Sequence, residues 1–293
     1  MHTTALLLVV ASAFLHAVWN LMLKRANDRV AFVWWYLLVP LVLFSPAALL
    51  WPGGWEAGAA LRSVGCGLAS GVLQATCLLA MAAAYAQGDL SAVYPLSRGS
   101  AQVLIAILGI ALLGERVTPL GLGGVALMIL GVYAVFLPSL SAAGLIAPVR
   151  ALAHRSSLAA LGAGLTIALY HVIDRVGVQG ANRIHYILLL FAADLLAVTA
   201  FLAFRRRWGL VRAEWRANRA SIVAAGCISL ASYLLVLYAL SLERVTYVGP
   251  ARNLGIVFSV LLGALCLGER HAPIRLAGSA LIVAGLALTS SAG

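Results

Sequence analysis

Ten apolar runs follow one another along the 293 residues, at 4–23, 32–51, 61–85, 91–113, 119–137, 157–174, 185–204, 219–241, 246–267 and 273–290, each bounded by Pro, Gly or charge. A helix of about 20 residues crosses ~30 Å of hydrocarbon and satisfies its own backbone groups there. With 63% hydrophobic and only 10% charged residues, the chain reads as an all-α membrane protein of ten transmembrane helices with no room for an extramembrane domain. Its mean hydropathy of +1.02 agrees. The first run lacks a basic start and a small-x-small cleavage site, so it is expected to be a span and not a secretory leader.

Lys and Arg total 20 against 9 Asp and Glu, giving +11. In a soluble chain that excess would raise a nucleic-acid partner; here the cations sit mostly between apolar runs, where they orient loops, so no nucleic acid is expected. Connections after the odd-numbered runs, counted with the first residues of the run that follows, carry 13 cations and those after the even-numbered runs carry 5, which expects the first set in the cytoplasm and both termini outside. Arg205, Arg206, Arg207, Arg212, Arg216 and Arg219 dominate that count. Cys66, Cys77, Cys227 and Cys266 lie inside apolar runs without a C-x-x-C spacing, and neither a metal-ligand cluster nor a phosphate- or dinucleotide-binding loop occurs, so no metal and no cofactor is expected.

The two halves repeat each other at an offset of 154 residues. Leu113-Gly114-Glu115-Arg116 recurs as Leu267-Gly268-Glu269-Arg270, Pro119 matches Pro273 and Gly131 matches Gly285. The same gap-free offset pairs Arg98 with Arg252, Asp89 with Glu243, and Ser12, His16 and Asn20 with Thr166, Tyr170 and Asp174. Five spans per half make the second copy enter from the opposite face. The expected architecture is two inverted five-helix repeats, 1–137 and 157–293, joined by 138–156, around a cavity near the midplane that opens alternately to either side.

A charge at the centre of a span costs roughly 2.5–3.5 kcal/mol on insertion scales, so each one calls for a partner, water or a function. Arg98, Asp194 and Arg252 are the clearest cases. Tyr94, Arg98 and Gln102 share one helical stripe, and Arg252 follows Tyr247 and adjoins Asn253. Guanidinium offers a rigid fork to carboxylate or phosphate, so these residues are candidates for binding an anionic group; the alternative is permanent pairing with Asp194 or Asp174. His16 with Trp19 and Asn20 forms a second polar stripe, repeated by Tyr170 and Asp174, and His16, Asp174 and Asp194 are the candidates for a proton relay. Glu115 and Glu269, just ahead of Pro119 and Pro273, are expected to serve the start of the next helix structurally.

These residues carry a resemblance. His16-Ala-Val-Trp19-Asn20, the run Gly88-Asp89-Leu-Ser-Ala-Val-Tyr94-Pro95-Leu-Ser-Arg98-Gly99-Ser100 and the Leu-Gly-Glu-Arg endings resemble an EamA-type member of the drug/metabolite transporter superfamily over essentially the whole chain. The resemblance implies a multi-pass secondary carrier, not an enzyme, in the bacterial cytoplasmic membrane, commonly an exporter of amino acids or other small metabolites. It also implies cytoplasmic termini, opposite to the charge count. The Tyr-Pro-x-x-Arg pattern is similar to that of some carriers found near phosphonate-utilisation genes.

The leading expectation is therefore alternating-access transport of a small polar solute bearing an acidic group, with the solute and the bilayer as partners. Related carriers of this fold imply a second possibility, a lipid or lipid-linked sugar flippase. From another class, a membrane-embedded lipid phosphatase would use His16 or His171 with Asp174, but no nucleophile elbow or clustered His/Asp motif accompanies them.

Overall fold

In the computed structural model the described residues are 1–50, 58–87, 90–135, 137, 139, 141, 144–145, 155–267 and 273–291, and none of them forms a β-strand. Helices α1 (Thr3–Lys24), α2 (Arg29–Leu49), α3 (Ala60–Gln87), α4 (Leu90–Leu113) and α5 (Pro119–Val135) form the first half. The second holds α6 (Arg155–Gly177), α7 (Arg183–Phe204), α8 (Trp208–Leu242), α9 (Val245–Ala251), α10 (Leu254–Leu267) and α11 (Pro273–Ser291). Among the described residues nine spans are long and apolar enough to cross a membrane, α9 and α10 counting as one. The 17-residue α5 is the shorter apolar helix; at 1.5 Å per residue it reaches about 25 Å, the lower limit for a span. Leu7, Leu61, Leu130 and Leu196 point outward, as lipid-facing positions do.

Two expectations change. The run 246–267 is not one helix, because Arg252 and Asn253 form a turn between α9 and α10. Pro250 has no N–H to continue the ladder, and the next bonds are short-range, from Asn253 N–H to Pro250 C=O and from Gly255 N–H to Arg252 C=O. The connection after α7 is also largely helical. Trp208 begins α8, and the chain kinks at Asn218 (φ −130°, ψ 22°) before the span proper.

Helix ends follow local chemistry. Asp28 and Asn182 cap α2 and α7 by accepting from the N–H groups of Ala31 and Ile184, both at 2.9 Å. Gly114 closes α4 at φ 63°, which glycine adopts freely. Arg206 closes α7 at φ 52°, where a side chain costs about 1–2 kcal/mol.

Contacts between the halves come in matched sets. Helix α1 packs on α8 as α6 packs on α3; α2 packs on α8 as α7 packs on α3; α1 packs on α10 as α6 packs on α4. Helices α5 and α11 pair with each other. Their approach depends on small residues, since a Cβ on Gly131 would lie 2.7 Å from the Gly278 carbonyl and 2.7 Å from Ile282 Cγ1, and one on Gly285 would lie 2.6 Å from the Gly124 carbonyl. Gly131→Leu is accordingly expected to destabilise the bundle by about 1–3 kcal/mol through overpacking, read as a lower melting temperature in detergent, whereas Gly123→Ala, facing only Leu288 Cδ2 at 3.7 Å, changes little.

Candidate functional site

The break between α9 and α10 sets Arg252 at the end of a half-helix in the bundle interior. Its Nη1 donates to His171 Nε2 at 2.9 Å, and its guanidinium lies 5.3 Å from the Tyr233 ring centroid. His171 Nδ1 faces the Ile167 carbonyl at 2.8 Å. A carbonyl only accepts and a guanidinium only donates, so the ring is the neutral Nδ1–H tautomer with its one lone pair given to Arg252. Tyr170 stacks on the same ring at 4.6 Å.

Beneath Arg252 a second layer is anchored on Asp174, which is fully buried. Its Oδ1 accepts from the Tyr186 hydroxyl at 2.8 Å and its Oδ2 from the Tyr233 hydroxyl at 2.5 Å, and Ser70 adds a third hydroxyl donor. Gln74 Nε2 donates to the Tyr233 hydroxyl at 2.9 Å. Four helices, α3, α6, α7 and α8, thus meet at one carboxylate, and Tyr233 carries that order up to the guanidinium.

Arg98 arrives from the other half. Helix α4 can lie close on α6 because of Gly164, where a Cβ would fall 2.8 Å from the Ser97 carbonyl. From there the Arg98 charge acts on His16, Cys77, Tyr170 and His171, and the Arg252 charge acts on His16, Tyr170 and His171. Arg98, Arg252, His16, Trp19, Asn20 and Tyr36 are each half-buried, neither sealed in packing nor fully outward. His16 meets Trp19 edge-on at 5.0 Å, and Trp19 meets Tyr36 at 5.2 Å.

Residues 154–291, the second half of this bundle, match the EamA-like transporter family. By this match the second half of the chain is EamA-like. A crystal structure of a protein superposes with a TM-score of 0.73 at 16% sequence identity, covering 100% of this chain and 98% of the other, a likeness of fold. No curated protein matches the chain.

The remaining candidate positions fall around this cluster. Gln102 Nε2 donates to Asn253 Oδ1 at 3.4 Å across the halves, both side chains being buried. Asn20 donates to the His16 carbonyl at 2.7 Å, one turn back on its own helix. Tyr247 is buried against α5, where its hydroxyl would touch a Cβ on Gly121. Tyr94 lies on α4, and its side chain is outside the described residues. Asp194 is 5% exposed with an Oδ1 that has no hydrogen-bond partner, and Asp174, whose two oxygens accept from hydroxyls, lies within electrostatic reach of Arg252.

Glu115 also departs from its expected role. Thr118 caps α5, accepting from Gly121 N–H at 3.1 Å. Glu115 instead reaches the other half and accepts from Val245 N–H at 2.7 Å, Thr246 N–H at 3.0 Å and the Thr246 hydroxyl at 2.6 Å, at the start of α9. Arg175 stands beside it, Nε to Oε1 at 3.9 Å, and donates to the Leu240 carbonyl at 2.7 Å. Together they tie the ends of α4, α6 and α8 to the start of α9. Glu269, the other member of the pair, lies outside the described residues.

Proposed function

We propose that this EamA-type chain is an alternating-access secondary transporter of a small polar metabolite with an acidic group (an amino acid, carboxylate or phosphonate), acting as an exporter in the bacterial cytoplasmic membrane. What supports the reading is that Arg98 and Arg252, one from each half, are both half-buried residues within electrostatic reach of His16 and His171, Arg252 being hydrogen-bonded to His171. Two cations in a poorly hydrated interior repel each other, and a bound carboxylate or phosphonate relieves that repulsion while accepting from both forks. Trp19, Tyr36 and Tyr170 offer apolar surface for the rest of the solute.

The matched helix contacts support two inverted five-helix units, as the 154-residue offset expects. In this reading Glu115 is the latch of one closed end of the bundle. Glu115→Gln is expected to loosen its end. A cysteine replacing the fully buried Val245, in a chain without other cysteines, should then react with an impermeant maleimide several-fold faster.

The hydrolase alternative is weakened, because His171 has both ring nitrogens engaged and Asp174 is occupied by hydroxyl donors. Counterflow in proteoliposomes, over a panel of amino acids, carboxylates and phosphonates, tests the proposal. Exchange of an acidic solute that is lost in Arg98→Ala is expected; exchange indifferent to that substitution, or confined to neutral and cationic solutes, would overturn it.

A further inference from the structure

The segment between the spans of α7 and α8 packs on the α1–α2 turn through aromatic side chains. Trp35 lies against Trp215 at 4.4 Å, the rings tilted by 30°, and donates its Nε1–H to the Val211 carbonyl at 2.8 Å, while Trp34 meets Trp208 at 5.7 Å. Glu214, the sole acid between 204 and 219, is buried; it accepts from Asp28 N–H at 3.0 Å and from Asn218 Nδ2 at 2.6 Å. Arg207 is committed to Asp28 at 2.6 Å. The segment is therefore clamped on the α1–α2 turn by its inner face.

The outer face has only positive charge. Arg205, Arg206, Arg212, Arg216 and Arg219 are exposed, with Arg212 and Arg216 one helical turn apart. Exposed Phe204, Trp208 and Leu210 accompany them, at 84%, 38% and 42% exposure. A helix that lies between two spans, with tryptophans packed on one side and arginines on the other, has the composition of an element lying in the membrane interface. Arg206 adds an independent observation, because it occupies a left-handed turn that glycine would fill without strain. Nothing in the packing asks for arginine there.

We propose that residues 204–219 form a binding site for anionic phospholipid headgroups, the five exposed arginines taking lipid phosphates while Phe204, Trp208 and Leu210 enter the glycerol and acyl region. Positive charge unopposed by any exposed acid within 204–219, at a connection between two spans, selects a lipid leaflet as the occupant. The inner clamp links this site to the turn between α1, which carries His16 and Trp19, and α2, which carries Tyr36.

Native mass spectrometry of the full chain in neutral detergent, titrated separately with phosphatidylglycerol and with phosphatidylcholine of the same acyl chains, tests this directly. Phosphatidylglycerol is expected to bind at least tenfold tighter. The Arg212→Gln/Arg216→Gln/Arg219→Gln triple variant should lose roughly a hundredfold, about fivefold per charge. Arg206→Gly separates function from folding, because it should melt at a higher temperature than the parent and bind phosphatidylglycerol more weakly, with Arg206→Lys restoring binding. Equal binding of the two lipids, an unchanged triple variant, an Arg206→Gly chain that keeps full lipid affinity, or tighter binding of a short oligonucleotide than of phosphatidylglycerol would overturn the proposal.

Discussion

Arg252→Ala is expected to weaken solute binding by roughly ten- to a hundredfold, the loss of one charge-assisted contact worth about 1.5–3 kcal/mol, while leaving the protein as stable as the parent or more so. Arg252 is a half-buried cation whose nearest partners are a neutral imidazole and a tyrosine ring, so its removal takes away a desolvated charge as well as two contacts. Its cost falls on the ligand. Arg252→Lys keeps the charge but cannot hold His171 and fork onto an anion at once, so it is expected to bind at intermediate strength. Ligand-dependent thermal shift reads both quantities in one titration: the melting temperature without solute, and the solute concentration that raises it.

Asp174→Ala has the opposite profile. It leaves the hydroxyls of Tyr186, Tyr233 and Ser70 without their acceptor inside the bundle, and at ~1 kcal/mol each with a small cavity added the fold loses about 2–4 kcal/mol. Solute affinity falls only as Tyr233 drifts from beneath Arg252. Asp174→Asn, which keeps the shape and one acceptor oxygen, is expected to recover about half of the lost stability. Melting temperatures in detergent check this, and a variant that melts with the parent would show that the carboxylate is not the anchor of the four helices.

Much of this was readable from the chain. Apart from the break at Arg252 and the early start of α8, the apolar runs correspond to the helices, because every backbone group in hydrocarbon must be satisfied within its own segment. The offset of 154 led to Arg98 and Arg252 because those positions repeat. It passed over what breaks the repeat: His171 has Ala17 as its mate, Tyr233 has Leu79 and Gln74 has Ile228. Those three side chains turn a symmetric scaffold into a particular site, and a symmetry argument is blind to them. The interruption at Arg252 did leave a signal in Gly249-Pro250, two residues upstream, where a helix loses a donor. Glu115 left none, since its partners Val245 and Thr246 lie 130 and 131 residues away and are backbone groups that no sequence pattern marks. The arginine-rich stretch after α7 reads as a polar connection until Val211, Glu214 and Trp215 are seen to share an inward face.

Under the proposed function, guanidiniums from the two halves act on one bound anion. A double-mutant cycle on Arg98→Gln and Arg252→Gln measures it, using the acidic solute that counterflow selects and reading its dissociation constant for the parent, each single variant and the double. Strong coupling is expected, with each single substitution costing most of the affinity and the second adding little. Losses that simply multiply would mean that the two arginines serve separate sites, and the shared pocket would have to be abandoned.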